Sequence, residues 1–517
     1  MTVARPCVLS LALALLGLGC ASNRPPQRPN VLFIAVDDLR PELGAYGNPD
    51  IKTPAIDRLA ESGVTFLQAH VQQAVCNPSR ASLLTGLRPD SLRVWTLQTR
   101  FRDSVPDVVT LPQHFMLHGY HTAAIGKIYH NIIPDSLSWS EPKLHVAGYP
   151  FDPDAVYRDP EYVAIQEARK AQIIAEGRQD RFIDQYGQWY LKATASEMPD
   201  VPDNAYFDGA QTDVAIGKLE EYRNGTQPFF LAVGYYRPHL PFNAPRKYWD
   251  LYDPDSIPPA ENSFVPDGAP SMAMNTMREL RGYTDFRHVV HPAQGQLSEA
   301  EARRLKHGYY AAVSYVDAQI GRLLDALDSL GLTDNTIVVL WGDHGWKLGE
   351  HGSWAKMTNY EIDTRAPLII RAPGHAGGTQ IDRMVEFVDI YPTLTELAGL
   401  PLPVHLQGTS AVPLMHDPAR AWKPAVFSQF LREGAWIAPD SVVYMGYAMR
   451  TERYRYVAWM DWQTQAYVAY ELYDHASDPA ENVNLAGRAE YAEVMAELEA
   501  QRRAGWPAAL PPRETHR

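Results

Sequence analysis

The sequence predicts an α/β protein with a large, mainly parallel central sheet and a smaller C-terminal α+β subdomain built on an antiparallel sheet. Three observations carry that expectation. At 517 residues the chain exceeds what one ordinary core fills. Apolar runs of strand length alternate with amphipathic helical segments through most of it, as in a sheet covered on both faces. After Pro424 the pattern changes to short alternating runs at 442–449, 454–460 and 467–473, followed by a helix near 489–502, which reads as antiparallel strands and a covering helix.

Taken in order, residues 1–22 read as an export signal. Arg5 gives the positive start, 8–18 an apolar run too short to span a bilayer, and Gly19-Cys20-Ala21-Ser22 a small-residue end. Cleavage after Ala21 fits. So does acylation of Cys20, although Gly17 stands where a lipoprotein signal usually has Leu. Either way the expectation is an exported protein, periplasmic or lipid-anchored at the cell surface. Residues 23–29 are a Pro- and Arg-rich linker. The main domain is expected over 30–425 and the subdomain over 426–517.

Residues 30–36 (NVLFIAV) are a continuous apolar run of the kind buried in a parallel strand, and the run ends in Asp37-Asp38. Thr53-Pro54 opens a helix that places Ile56, Leu59 and Ala60 on one face and stops at Gly63. Further strands are expected at 122–125, 229–235, 336–341 and 367–370. The longest helix runs from 298 to about 330. Ser298 and Glu301 form its capping box, Leu305, Tyr309, Val316, Ile320 and Leu327 its stripe, and Gly331 its stop. Two stretches rich in Pro, Asp and Tyr, 131–203 and 243–296, read as insertions that shape a surface cleft.

Composition narrows the chemistry. A 45% hydrophobic and 11% aromatic chain folds, and a formal charge of -14 excludes a nucleic-acid binder and gives polyanions no general attraction. Any anionic ligand therefore needs locally concentrated cations. Of the three cysteines, Cys7 leaves with the leader and Cys20 is removed or acylated, so Cys76 has no partner in the chain. Such a residue is a small buried hydrophobe or is kept for its reactivity.

An aspartate after a strand is ordinarily a turn or helix cap. Here two strands end in such pairs, Asp37-Asp38 and Asp343-His344, and ligands bind at the carboxyl ends of strands in open α/β sheets. Carboxylates gathered there repel one another unless a cation intervenes, and hard oxygen ligands suit calcium or magnesium. Cys76 opens a short helix in which Pro78 suits the first helical position and Gly86 the stop. The backbone N–H groups and dipole at that end favour an anion, and Arg80 adds a guanidinium one turn in.

Cys76-Asn77-Pro78-Ser79-Arg80, continued by Leu84-Thr85-Gly86, resembles the Cys-x-Pro-Ser-Arg-x-x-x-Leu-Thr-Gly signature of the type I sulfatase family. The likeness covers most of the mature chain and points to the iduronate-2-sulfatase-like group. It is carried by VDDLRPELGAYG (36–47), QQAVCNPSR (72–80), GKIYH (126–130), GYYRPHLPF (234–242) and GDHGWKLGEHGSWAK (342–356). Many sulfatases have Asp-Asn where this chain has Asp343-His344, the variant of that group.

The resemblance implies an alkaline-phosphatase-like sandwich and a formylglycine made from Cys76 by a maturation enzyme. It implies calcium, with magnesium as the alternative, held by Asp37, Asp38, Asp343, His344 and an oxygen of modified Cys76. Lys127, His130, His239 and Lys356 match the remaining polar site residues, whereas Lys347 does not match the pattern. In the implied reaction the hydrated aldehyde attacks sulfur in line and later expels sulfate as the aldehyde reforms. Lys127, Lys356 and Arg80 hold the sulfate, His239 with Lys356 protonates the leaving oxygen, and His130 triggers collapse; the sequence leaves the two histidine roles exchangeable.

The implied substrate is a sulfated saccharide, 2-O-sulfated iduronate or a similar uronate of a polysaccharide. Two alternatives remain at this stage. One is a phosphate or phosphonate monoester hydrolase of the same superfamily. The other is a surface protein that binds sulfated glycans without cleaving them, which follows if Cys76 stays unmodified.

Overall fold

Strand β1 (Asn30–Val36) is buried along its whole length, because its alternate side chains enter two different cores. Leu32, Ile34 and Val36 join one, Val31, Phe33 and Ala35 the other. The computed structural model describes residues 28–130, 133–146, 148–149, 151–183, 187–433 and 442–512. The export leader with Cys7 and Cys20, and most of the linker, lie outside the described residues.

The other strands of this sheet are β2 (Val64–Phe66), β3 (His121–Gly126), β4 (Phe229–Tyr235), β5 (Thr336–Gly342), β6 (Leu368–Arg371) and β7 (Thr379–Ile381). The seven-stranded order is β7-β2-β6-β5-β1-β4-β3. Strands β5, β1, β4 and β3 are mutually parallel, as expected. β6 is antiparallel to both neighbours, β5 and β2. The chain leaves β5 through a long loop rather than a crossover helix, so it returns in the opposite sense.

Helix α1 (Pro54–Ser62) and the signature helix α2 (Cys76–Thr85) come from the first third of the chain. The first insertion is not structureless: it carries α3 (Pro160–Ala175), capped by Asp159. α4 (Phe207–Arg223) and α5 (Glu299–Ser329) pack together on one face of the sheet, α1 against α5, and α6 (Ile390–Leu397) lies beside α2 on the other. The capping box of α5, Ser298 with Glu301, forms as its sequence predicts. α2 starts at Cys76, as expected, with Pro78 inside its first turn. The first N–H groups of a helix have no partner within it, so proline is tolerated throughout the first turn.

The C-terminal sheet has four strands rather than three: β8 (Ala425–Glu433), β9 (Val442–Thr451), β10 (Tyr454–Asp461) and β11 (Tyr467–Asp474), paired antiparallel in that order. α7 (Ala492–Ala508) packs on β8 and runs past the expected end, across a kink at Gly505. Among the described residues no helix is long and apolar enough to cross a membrane.

Candidate active site

The register of the parallel strands sets the site. Val36 of β1 lies opposite Gly342 of β5 and Tyr235 of β4, and Gly126 of β3 opposite Gly234. The residues that follow these strands therefore emerge side by side: Asp37-Asp38, Asp343-His344 and Lys127. Two glycines let Lys127 in. A Cβ on Gly126 would lie 2.0 Å from the carbonyl oxygen of Gly234, and one on Gly234 would lie 2.2 Å from that of Lys127. Asp38 has a left-handed backbone, φ 59°, a conformation that costs free energy and is typical of functional sites.

α2 delivers Cys76 to the same place. Its Sγ is 3.5 Å from His344 Nε2. Asp38, Cys76 and His344 form one cluster of ligand atoms within 4.8 Å of one another, and Asp37, Cys76 and Asp343 form a second. The backbone N–H of Asp38 donates to Asp343 Oδ1 at 3.0 Å. His344 Nδ1 lies 2.9 Å from the carbonyl of Gly345, and its Nε2 faces Cys76 Sγ and Asp38 Oδ1 at 3.5 and 3.3 Å, so Nε2 is the nitrogen available to a cation. The four expected metal ligands and Cys76 are thus adjacent and buried.

Around them stand the cations. Arg80 Nε donates to Asp343 Oδ2 at 2.8 Å and its NH2 to Asp37 Oδ1 at 2.9 Å, while NH1 donates to the carbonyls of Lys127 and Ile128. It is fully buried and does not line the cleft, and its fork spans two carboxylates and the backbone, a geometry that suits holding Asp37 and Asp343 in place more than the expected direct hold on sulfate. Lys127 Nζ meets Asp37, and Lys356 Nζ lies 2.9 Å from both oxygens of Asp38 and 3.0 Å from Glu279 Oε1. Ala355 and Met357, on either side of Lys356, have positive φ values of 72° and 81°. Lys347 is elsewhere, buried on Asp363 at 2.5 Å and Thr358 at 2.7 Å, so its failure to match the pattern has a structural counterpart.

The two histidines differ in environment. His239 Nδ1 is 2.6 Å from the carbonyl of Leu240 and Nε2 is 3.0 Å from Glu279 Oε1, so both nitrogens face acceptors, an arrangement that favours the doubly protonated ring. Burial opposes that charge, but Asp38 and Asp154 outweigh it and raise the pKa. His130 is pushed down to about 3, first by burial and then by Lys127. Its Nδ1 is buried with no hydrogen-bond partner among the described residues. The carboxylates separate in the same way. Burial lifts Asp38 to about 6 despite Lys356, whereas Arg80 and His344 overcome burial and hold Asp343 well below the usual range. Burial and Asp37 raise the Cys76 thiol, which therefore stays protonated.

These groups open into a cleft of about 390 Å³ lined by Cys76, Lys127, His130, His239 and Lys356. Its remaining wall comes largely from the insertions. The first supplies Asp152, Asp154, Arg181, Tyr190 and Lys192, the second Arg278 and Glu279. Asp154 and Glu279 enter the charge network directly: His239 Nδ1 is 3.6 Å from Asp154 Oδ1, and Glu279 bridges His239 and Lys356. Neither was legible beforehand, because an acidic residue in an irregular stretch has no periodicity or motif to mark it.

The donor set fits a divalent cation. Asp37, Asp38 and Asp343 present oxygens and His344 a nitrogen around Cys76, the mixture that suits calcium or magnesium rather than a soft metal. The three carboxylates, Asp37, Asp38 and Asp343, crowd around Cys76, and a divalent cation would relieve their mutual repulsion.

Comparison with known proteins identifies the family. A family profile described as Sulfatase matches residues 29–400, and one described as N-sulphoglucosamine sulphohydrolase, C-terminal, matches residues 349–504. The chain is 33% identical to human iduronate 2-sulfatase, over 92% of this chain and 94% of that protein. A solved structure in complex with its substrate D-glucosamine-2-N,6-O-disulfate superposes with a TM-score of 0.70 at 24% identity, covering 94% of this chain and 99% of the other. A phosphonate monoester hydrolase of Agrobacterium radiobacter superposes with a TM-score of 0.68 at 24% identity, covering 93% and 96%.

Proposed function

Because the chain belongs to the sulfatase family, in its iduronate-2-sulfatase-like group, and is thereby a sulfuric ester hydrolase, we propose that its substrate is a 2-O-sulfated iduronate or related uronate at the end of a saccharide chain. One observation carries the reading: Cys76 stands at the first position of α2, among Asp37, Asp38, Asp343 and His344, at the floor of a cleft edged by Lys127 and Lys356. A formylglycine at position 76 would supply the nucleophilic oxygen, and a cation on the four ligands would polarise it and the sulfate.

The chain's own residues do the rest. Lys127 and Lys356 flank the position of the sulfate and stabilise charge on the transferring group. Arg80 holds Asp37 and Asp343 at fixed spacing. His239, whose surroundings favour a proton on each nitrogen, would protonate the departing sugar oxygen, and His130, which burial keeps neutral, would accept one. The environments of the two rings support that assignment over its reverse.

The test is sulfate release from defined sugars by enzyme whose Cys76 peptide shows the mass of the aldehyde. A 2-sulfated iduronate disaccharide should turn over faster than 6-sulfated glucosamine. The reverse order removes the uronate assignment and leaves the sulfatase intact. Faster cleavage of a matched aryl phosphonate than of the aryl sulfate would favour phosphonate chemistry instead. Protein from the native host that carries only thiol at Cys76 would favour a binding role.

A further inference from the structure

Lys192 differs from the other lysines of the cleft. Lys127 and Lys356 each sit on carboxylates at ion-pair distance. Lys192 lines the same cleft as Cys76, yet among the described residues its ammonium makes no ion pair and no hydrogen bond. Its close neighbours are two phenol rings, Tyr283 at 4.4 Å and Tyr190 at 5.7 Å from the ring centroids. Aromatic faces attract a cation but replace only part of its hydration. Burial pushes its pKa down, against the pull of Glu279, and Lys356 adds repulsion.

The surroundings leave room for this side chain. Gly282 has an ordinary φ of -67°, so its backbone does not call for glycine. A Cβ at that position would lie 3.3 Å from Lys192 Nζ and 3.4 Å from its Cδ. The missing side chain clears space for the lysine. A cation held in a cleft with no carboxylate at ion-pair distance is stabilised most by an anion that arrives with the ligand. The sulfate already has Lys127 and Lys356, so the anion left for Lys192 is a second group on the same sugar.

We propose that Lys192 is a specificity-determining residue that receives the carboxylate of the uronate ring, with Tyr190 and Tyr283 orienting its ammonium. This rests on the substrate reading above and adds to it a residue outside the signature motifs, carried by the first insertion. It also accounts for how a chain of net charge -14 accepts a doubly anionic sugar: the positive charge is placed locally, at two separate points of one cleft.

The test uses full-length enzyme with conversion at Cys76 confirmed, a 2-O-sulfated iduronate disaccharide, and the same disaccharide with its carboxyl reduced to an alcohol. The readout is the ratio of kcat/KM for the two, in which a general loss of activity cancels. Wild type should prefer the carboxylate. Lys192→Met should lower the ratio roughly 10- to 100-fold, mainly through KM, the loss expected for a charged hydrogen bond, and Lys192→Arg should keep most of it. An unchanged ratio in Lys192→Met, or a wild type indifferent to the carboxyl, overturns the proposal. Wild type that cleaves an aryl sulfate but neither disaccharide overturns the substrate reading itself, and this assignment with it.

Discussion

Arg80 directs its recorded donors into the protein: one nitrogen to Asp343, one to Asp37 and the third to the carbonyls of Lys127 and Ile128. A lysine carries the same charge on a single point and cannot span both aspartates. Arg80→Lys should therefore weaken cation binding about 10- to 100-fold, the usual cost of losing a residue that orients metal ligands. Calcium-dependent thermal shifts at graded concentrations check it, and equal affinities in the two proteins would discard the idea. At this scale the sequence was readable wherever a residue lay in a motif or after a strand, as Cys76, Asp37 and Asp343 do. Asp154, Glu279 and Lys192 were not, since their positions depend on how two irregular segments fold back over the sheet.

Between elements, helix α1 obtains its cap from another helix. Thr53 makes no side-chain cap bond, and the backbone N–H groups of Ala55 and Ile56 donate instead to Asp317 of α5, at 3.1 and 2.8 Å. Burial raises Asp317 from 3.8 to about 7, although those two N–H groups pull it down. A carboxyl whose folded pKa lies above its unfolded value contributes stability that is complete below about pH 4 and is lost as pH rises through 7. Asp317→Asn has no such titration. The Tm difference, wild type minus variant, should shrink between pH 4 and pH 8, by an equivalent on the order of 1–4 kcal/mol. A difference that does not change with pH would falsify this account. The capping box of α5 was legible because it is local in the chain. The cap on α1 was not, and neither was the reversed direction of β6, because the same apolar run suits either sense.

The whole molecule is joined across a buried seam between the main sheet and the C-terminal one. Glu386 accepts both terminal nitrogens of Arg88 at 2.7 Å, Lys423 at 2.8 Å and the backbone N–H of Phe427 in β8 at 3.0 Å; Lys423 also reaches Asp389. Removing the Glu386 charge strands the buried Arg88, while Lys423 keeps Asp389. Glu386→Gln should cost roughly 3–5 kcal/mol of stability, seen as a lower denaturant midpoint, and a shift within error would show that the seam relaxes without penalty.

A second contact across the same boundary bears on when position 76 can be altered. In β8, Gln429 donates its N–H to the carbonyl of Gln72 at 2.8 Å and Ser428 its hydroxyl to that of Val71 at 2.6 Å, a few residues ahead of a cysteine that is only 2% exposed. The C-terminal sheet thus clamps the segment that leads to the thiol. A catalyst that converts Cys76 would meet an open backbone before β8 pairs here and a closed one afterwards.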